Sequence, residues 1–562
     1  MKNHIILIVL CGIAGLRSKS SLDIVPMVKT MLNSIEHRGP DGFGLSANTN
    51  IYHSFSIEKL SNNIHADSAL GHVRLAIVGG KLGQQPFKSC DGRFILEHNG
   101  EIYNYKQIKK RLLDHKFTTK TDSEVIVHLL EENCKKTNNF MLALQKTINE
   151  LDGVYALSII DQSNDTIYLI RDKLGIRQLY YAENSKLIAF ASERKALWEI
   201  GLNEPTISVL PGHCICISKN VSNQIRLSDP PIHKNNPVYN NMKNAVDIYE
   251  KLLLSSIKKR TQDLKKVGVI FSGGIDSVLI ALLVKKFVDN VVCYTSGIEG
   301  SPDIEFAKSI ANKLNLDLRI NELNSRYVEN IIPKIINTIE TNNMTQVEVA
   351  IPIYSAVELA AEDGMKVVFS GQGADELFGG YSWYPNILKK QGYEKLQEYL
   401  ITDLLLLYKE CLEREDKITM AHGIEMRVPF LDPKIVKFAT SINLRLNIVN
   451  SDDIFGKRVH RELAKKIGLD HSIAYRKKDA AQHGSGIHDV LKKLAVKNGY
   501  DITKITDEYS KKFISREKLG SSERYGHLFT NEPVWDTDLS LQLYFDSIVT
   551  SNLPISVLIN KK

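Results

Sequence analysis

Two glycine-rich stretches in the C-terminal half carry the residue types that hold phosphate and cations. In SGGIDS the apolar run VGVIF ends in Ser272, Gly273 and Gly274, so backbone N–H groups converge at the start of the helical pattern VLIALLVKKF. Such a turn makes an anion site. Asp276 would repel bare phosphate but becomes useful if a magnesium ion lies between the two. An ordinary helix cap, with Ser272 or Asp276 satisfying terminal N–H groups, accounts for the same residues. The second stretch, FSGQGADELFGGY from Phe369 to Tyr381, again follows a strand-like run and sets Gly371, Gly373, Gly379 and Gly380 around the carboxylates of Asp375 and Glu376. Two such loops beyond the carboxyl ends of strands would hold magnesium from opposite sides of a pyrophosphate. A turn followed by a capped helix explains the glycines one by one, but not the likeness of the two loops. The Walker A pattern is absent, so nucleotide chemistry here would be of another kind. In the N-terminal half the candidate is the sulfur of Cys11, inside IILIVLCGIAGL. Taken alone, it reads as a small apolar residue in a buried strand.

The elements that must position these groups follow two rhythms. Upstream, alternating runs such as RFILEHNGEIYNY and VYALSIIDQSNDTIYLIRD predict antiparallel sheets with a few helices. Downstream, VGVIF, VVCYTSG and KVVFSG repeat a strand followed by small residues, which predicts a doubly wound parallel sheet. Between them RLSDPPIHKNNPVYNNMKN, residues 226–244, has the Pro and Asn content of a linker. The expected organisation is therefore a first domain over 11–220, the linker, a second domain over 245–489, and an extension over 490–562. That extension has many charges and weak periodicity and reads as helical or partly disordered. RKKDAAQHGSG, Arg476 to Gly486, reads as a basic loop able to cover phosphates or as a plain surface loop.

Composition narrows the classes. A chain of 562 residues with 43% hydrophobic content is longer than one compact core needs, so two or more domains are expected. The net charge of +7 comes from 72 basic and 65 acidic residues spread along the chain, which does not imply nucleic acid. The seven cysteines form no CxxC pair and no disulfide ladder, which suits a reducing cytoplasm. No segment after the opening reaches the roughly 18 apolar residues that span a bilayer. The opening stretch, behind Lys2, has the length of a signal-peptide core. No convincing small-residue cleavage site follows it, however, and a cut after the run would delete Cys11.

The motifs CGIAG, EHRGPDGFG, GHVRLAIV, HNGEIYNY, TDSEVI, RDKLGIRQLYY, FASERKAL, SGGIDS, SGQGADELFGGY and HGIEMRVPFLD, in this order from Cys11 to about Gly486, resemble those of the glutamine-hydrolysing asparagine synthetases. The resemblance implies an α/β multidomain protein, with an N-terminal αββα glutaminase followed by the parallel-sheet ATP-binding domain. In the first, Cys11 matches the nucleophile, whose own α-amine serves as base. Asn99 and Gly100 match the oxyanion hole; without the family, Asn-Gly reads as a hairpin turn. Arg74 with Leu75, Ala76, Ile77 and Val78 matches the glutamine carboxylate side, and Glu101 and Asp122 match the ammonium side. Otherwise Arg74 and Asp122 would be an ordinary surface pair.

For the second domain the resemblance implies adenylation of the aspartate side chain by ATP and attack of ammonia on the acyl-adenylate. Ser272, Gly273, Gly274, Asp276 and Ser277 match the pyrophosphate loop, and Asp276 and Asp375 match magnesium ligands. Ile270 and Ser296 match positions that meet adenosine, with Ser370 and Gly371 beside it. Lys457 matches a lysine that neutralises charge on the phosphates, although a lysine in a charged helix is more often solvated. Glutamine, aspartate and ATP are the implied partners, and a homodimer is left open.

Two departures matter. Gln372 stands where many family members have Glu, and an amide cannot act as a general base, which leaves it the orientation of substrate. Residues also precede Cys11, so a start of translation at Leu10, followed by initiator removal, is expected. Amidation of another carboxylate, ammonia-only activity or a non-catalytic scaffold remain as competing functions.

Overall fold

The computed structural model describes residues 9–60, 64–76, 83–203, 205–219, 221–262, 264–476, 481–501 and 538–552. The opening apolar stretch forms the strand Val9–Ser18, and Cys11 to Leu16 are buried within it. It lies between the antiparallel strands Ser68–Ala76 and Leu187–Ala191, at the middle of a seven-stranded sheet. A second sheet of six strands has Phe94–Ile102 paired with Gly153–Asp161 through Asn99 opposite Ala156 and Gly100 opposite Tyr155. The two sheets close on an apolar layer that includes Ile13, Leu70, Ile95, Ala156, Leu169 and Phe190. Helices Val25–Ser34 and Arg194–Trp198 cover the outer face of the first sheet. Helices Glu124–Thr137 and Phe140–Glu150 cover that of the second. The N-terminal part is thus the expected αββα sandwich. HNGE is not a hairpin: it lies within a continuous strand, because the partner strand runs alongside it without a break.

The C-terminal part is built on a parallel sheet in the order Asp317–Leu323, Asn290–Ile298, Lys266–Ile270, Val367–Phe369, Glu425–Arg427. Val267 and Val269, like Val367 and Phe369, are buried, as a sheet covered on both faces requires. The chain winds outward from Lys266–Ile270 in one direction and then restarts beside it at Val367–Phe369. Those two neighbours flank the crevice where strand order reverses, the place in open α/β sheets where ligands bind. The SGGIDS and SGQGADE loops leave these two strands.

Helix Met242–Arg260 begins inside the stretch that reads as a linker, with the side chain of Asn241 accepting the N–H of Asn244 as its cap. Beyond Asp489, helix Leu539–Asn552 buries Leu541 and Phe545 in the same core as the parallel sheet. Its Gln542 accepts the Met344 N–H at 2.8 Å.

The two halves meet through charges held out of water. Arg38 bridges Glu193 at 2.7 Å and Asp416 at 2.8 Å, and Arg177 bridges Asp416 at 3.2 Å and Glu425 at 2.9 Å. Arg427 reaches Glu425 at 3.1 Å and Glu101 at 2.6 Å. Nearby, Lys417 pairs with Glu340 at 2.7 Å and Arg194 with Glu413 at 2.9 Å. Buried charges persist only when each meets a partner in good geometry. Apolar contact between the halves comes from Leu75 packed on Met420 and from Tyr103, Val154, Leu174 and Ile176, which join the core of the parallel sheet.

Candidate active sites of the two halves

In the N-terminal sandwich, register alone places Cys11 opposite Arg74. Gln85 joins the two sheets at this point. Its Nε2 lies 3.7 Å from Cys11 Sγ and donates to the His98 carbonyl at 3.0 Å, while its Oε1 accepts the His98 N–H at 2.6 Å. Burial pushes the Cys11 thiol well above its ordinary value, and Arg74 beside it pulls it back down. At rest the group is therefore a thiol, and a nucleophile in this state needs a base.

Asn99 is fully buried, and neither its side-chain nitrogen nor its oxygen has a hydrogen-bond partner among the described residues. A buried amide left unpaired is costly unless a ligand completes it. Gly100 has φ +151°, and a Cβ there would lie 2.0 Å from the Val154 carbonyl oxygen, so only glycine fits. Asp122 is buried, its Oδ2 accepts the Ile102 N–H at 2.8 Å, and burial pushes its carboxyl up to about 7. Glu101 departs from a simple ammonium ligand, because its carboxylate is engaged by Arg427 of the other half. Leu75 is buried and Ala76 ends the strand, while Ile77 and Val78 lie outside the described residues.

At the crevice of the parallel sheet, Gly274 precedes helix Ile275–Val284, so Asp276 falls in its first turn. Gly371 of the second loop approaches so closely that a Cβ would lie 2.9 Å from Asp276 Cβ. Lys457 holds the two loops together: its Nζ is 2.8 Å from Asp276 Oδ2 and 2.8 Å from Asp375 Oδ1. It is 2% exposed and sits at φ +51°, just before helix Arg458–Lys466, with its N–H on the Phe378 carbonyl at 3.1 Å. A non-glycine residue held in the left-handed region is a strained arrangement typical of functional sites. The charged helix therefore does not leave Lys457 in solvent; it presents it to the loops.

The remaining predicted residues gather around the same crevice. Ile270 ends the central strand, Ser272 is exposed, and Gly273 takes φ +69°. The Ser277 hydroxyl donates to the Gly274 carbonyl at 3.0 Å, and that of Ser296 to the Pro352 carbonyl at 2.7 Å. Ser370 donates its N–H to the Arg427 carbonyl at 2.9 Å, which connects this loop to the charged junction. Gln372 donates through Nε2 to Glu415 Oε1. Of the basic loop, residues 477–480 lie outside the described residues, while Ser485 docks its carbonyl on the Ile298 N–H at 2.8 Å.

Two groups escape sequence reasoning. His460, fully buried, sets Nε2 3.1 Å from Asp276 Oδ1 and Nδ1 2.8 Å from the Tyr249 hydroxyl. Burial holds its imidazole below the usual range, so a neutral ring with Nε2–H facing the carboxylate and Nδ1 accepting from Tyr249 fits the contacts. The signal was its position three residues after Lys457, one helical turn on. Glu415 is buried beside Gln372, and its carboxyl is pushed up by that burial while Arg414 pulls it down; no motif marks it.

A buried thiol in an αββα sandwich, joined to a parallel sheet with two glycine-rich loops at its switch point, is the layout of an amidotransferase coupled to a nucleotide-using half. The glutamine amidotransferase domain model matches residues 10–211, and the asparagine synthase model matches residues 249–393 and 388–546. A Methanocaldococcus jannaschii protein, named provisionally as asparagine synthetase (glutamine-hydrolyzing) 1, is 35% identical over 90% of this chain and 100% of its own. The asparagine synthetase (glutamine-hydrolyzing) of Zea mays is 29% identical over 80% of this chain and 74% of its own. That of Rattus norvegicus is 29% identical over 84% of each. The chain belongs to the glutamine-hydrolysing asparagine synthetase family.

Proposed function

We propose that the protein is a glutamine-dependent asparagine synthetase in which Cys11 releases ammonia from glutamine and the C-terminal half joins it to an ATP-activated aspartate. Cys11 attacks the side-chain amide, and its α-amine takes the thiol proton, which requires Cys11 to be the first residue of the working chain. The unpaired Asn99 amide and the Gly100 N–H receive the developing oxyanion. Arg74 takes the glutamine carboxylate, a side to which Leu75, Ala76, Ile77 and Val78 are also assigned, and Asp122 takes the ammonium. Glu101 acts through Arg427, as part of the wall shared with the other half.

In the second half the Ser272 to Ser277 loop cradles pyrophosphate, with Ile270, Ser296, Ser370 and Gly371 around adenosine. Asp276 and Asp375 converge on one cation position, now held by the Lys457 ammonium. Their oxygen-only donors fit magnesium. When bound, that ion would neutralise pyrophosphate charge, while Lys457 stabilises the phosphates during adenylation. Ammonia then displaces AMP. Gln372 orients aspartate, and the carboxylate absent at that position is supplied next to it by Glu415. The domain limits, a cytoplasmic location and assembly as a homodimer belong to the same proposal; among the described residues no helix is long and apolar enough to cross a membrane.

The junction carries the coupled reading: Leu75 from the glutamine pocket packs on Met420, so ammonia crosses between apolar groups without meeting water. One assay of ATP, magnesium and aspartate, run with glutamine and separately with ammonium, tests it. Asparagine and pyrophosphate are expected with both, together with a native N-terminus at Cys11 by mass spectrometry. Ammonium-only activity would place the fault at that N-terminus. Pyrophosphate release with another acid and none with aspartate would overturn the acceptor.

A further inference from the structure

Away from both sites, Cys90, His115, His128 and Glu131 bring one sulfur, two imidazole nitrogens and one carboxylate oxygen within 4.8 Å of one another. Cys90 follows the short strand Phe87–Lys88, His115 lies just beyond helix Tyr105–Arg111, and His128 and Glu131 are one turn apart on helix Glu124–Thr137. The last three are buried and Cys90 opens to solvent. We propose that these four side chains are a structural zinc site.

Distances carry the proposal. In a tetrahedral zinc site with Zn–S near 2.3 Å and Zn–N or Zn–O near 2.0–2.1 Å, neighbouring ligand atoms lie about 3.3–3.6 Å apart. Here Cys90 Sγ is 3.6 Å from His128 Nδ1, His115 Nδ1 is 3.5 Å from Glu131 Oε2, and His128 Nδ1 is 3.9 Å from that same oxygen. His115 Nδ1 points into this space from a side chain only 2% exposed, and it makes no hydrogen bond. A buried ring nitrogen without a partner calls for one.

The surroundings also have the form of a metal's outer shell, where the second nitrogen of each histidine faces a carboxylate. Glu132 Oε2 lies 3.2 Å from His115 Nε2, and Glu124 Oε1 lies 3.7 Å from His128 Nε2. Lys135 holds the other oxygen of Glu131 at 2.6 Å, and the Cys90 N–H fixes Oε2 at 2.8 Å. Binding releases the Cys90 thiol proton to solvent, and the thiolate with the Glu131 carboxylate then balances the two charges of the ion. One sulfur and two imidazoles select zinc over magnesium or calcium.

The site's effect on function is positional and does not depend on the reaction proposed above. Cys90 lies just beyond the segment in which Gln85 touches Cys11, and His128 and Glu131 lie on the helix that begins at Glu124, just after Asp122. The ion ties these two walls of the glutamine pocket together.

The test uses the full-length, untagged protein, stripped of metal and titrated with Zn2+ and with Co2+. The expected result is one ion per chain. The Co2+ form should show the visible bands of tetrahedral coordination and a sulfur-to-cobalt charge-transfer band that Cys90→Ser removes. His128→Ala should weaken Zn2+ binding by about 100-fold or more. An octahedral Co2+ spectrum without the charge-transfer band would overturn the proposal, and that measurement needs only the parent protein. Zn2+ affinity left unchanged by both substitutions would overturn it equally.

Discussion

Replacing Gly380 with alanine tests the clamp between Lys457 and Asp375 without adding or removing a charge. A methyl at that position would lie 2.0 Å from Lys457 Cε and 2.1 Å from Asp375 Oδ1. Non-bonded carbons settle near about 3.5 Å, so the lysine stem must retreat by roughly 1.5 Å. Its ammonium now sits 2.8 Å from both Asp276 and Asp375, and a shift of that size takes it out of reach of at least one. Gly380 is not among the glycines with positive φ, so alanine suits the backbone and the effect falls on the side chains. A misplacement of about 1 Å costs about 100-fold, and loss of one preorganised electrostatic group costs about 100- to 1,000-fold, or ~2.7–4 kcal/mol. The assay is pyrophosphate release from ATP with aspartate and ammonium, with glutamine hydrolysis followed in the same preparation as an internal control. The expected outcome for Gly380→Ala is a kcat for pyrophosphate release lower by about 100-fold or more, with hydrolysis unchanged. A kcat within about threefold of the parent, less than ~0.7 kcal/mol, would refute the role of Lys457.

Other expectations follow from groups already placed. Asp122 must be ionised to hold the glutamine ammonium, and burial raises its carboxyl to about 7, so the KM for glutamine should climb about tenfold per pH unit below 7 and level off above it. The same profile in Asp122→Asn would sink that assignment. Asp416→Asn removes one of the two carboxylates that each of Arg38 and Arg177 bridges, leaving Glu193 and Glu425, so the loss should stay below about 3–5 kcal/mol, the cost of a buried charge left wholly unpaired. It should lower Tm and release glutamate in excess over asparagine; equal yields and an unchanged Tm would count against the junction. Glu415→Gln should cut pyrophosphate release by about 100-fold with little change in the KM for ATP, and full activity would show that Gln372 works alone.

Much of this was legible because the chemistry sits in contiguous loops. SGGIDS and SGQGADELFGGY each follow a strand whose uninterrupted apolar run signals burial on both faces, so fold and site could be read from the same residues. CGIAG likewise marked a strand, whereas HNGE misleads on local preference alone, because the pairing of Gly153–Asp161 overrides the turn propensity of Asn-Gly. Charge patterns gave no comparable guide. Glu413, Arg414, Glu415, Asp416 and Lys417 have the composition of a solvated surface, yet all are buried, since their partners arrive from segments remote in sequence. His460 lies on, and Lys457 immediately precedes, a helix that also looks exposed, yet both are buried. The quartet from Cys90 to Glu131 has no metal-binding spacing, because folding alone brings its parts together.

The charged junction also sets an order of events during synthesis. Arg177 precedes Asp416 by 239 positions and Glu425 by 248. At about 5–20 residues per second, it leaves the ribosome roughly 12–50 s before either counter-charge exists. Through that interval the early half holds bare guanidinium groups and stays open to water on this face. The wall of the glutamine pocket that includes Glu101 is sealed only once Arg427 has been made, when the last strand of the parallel sheet is in place.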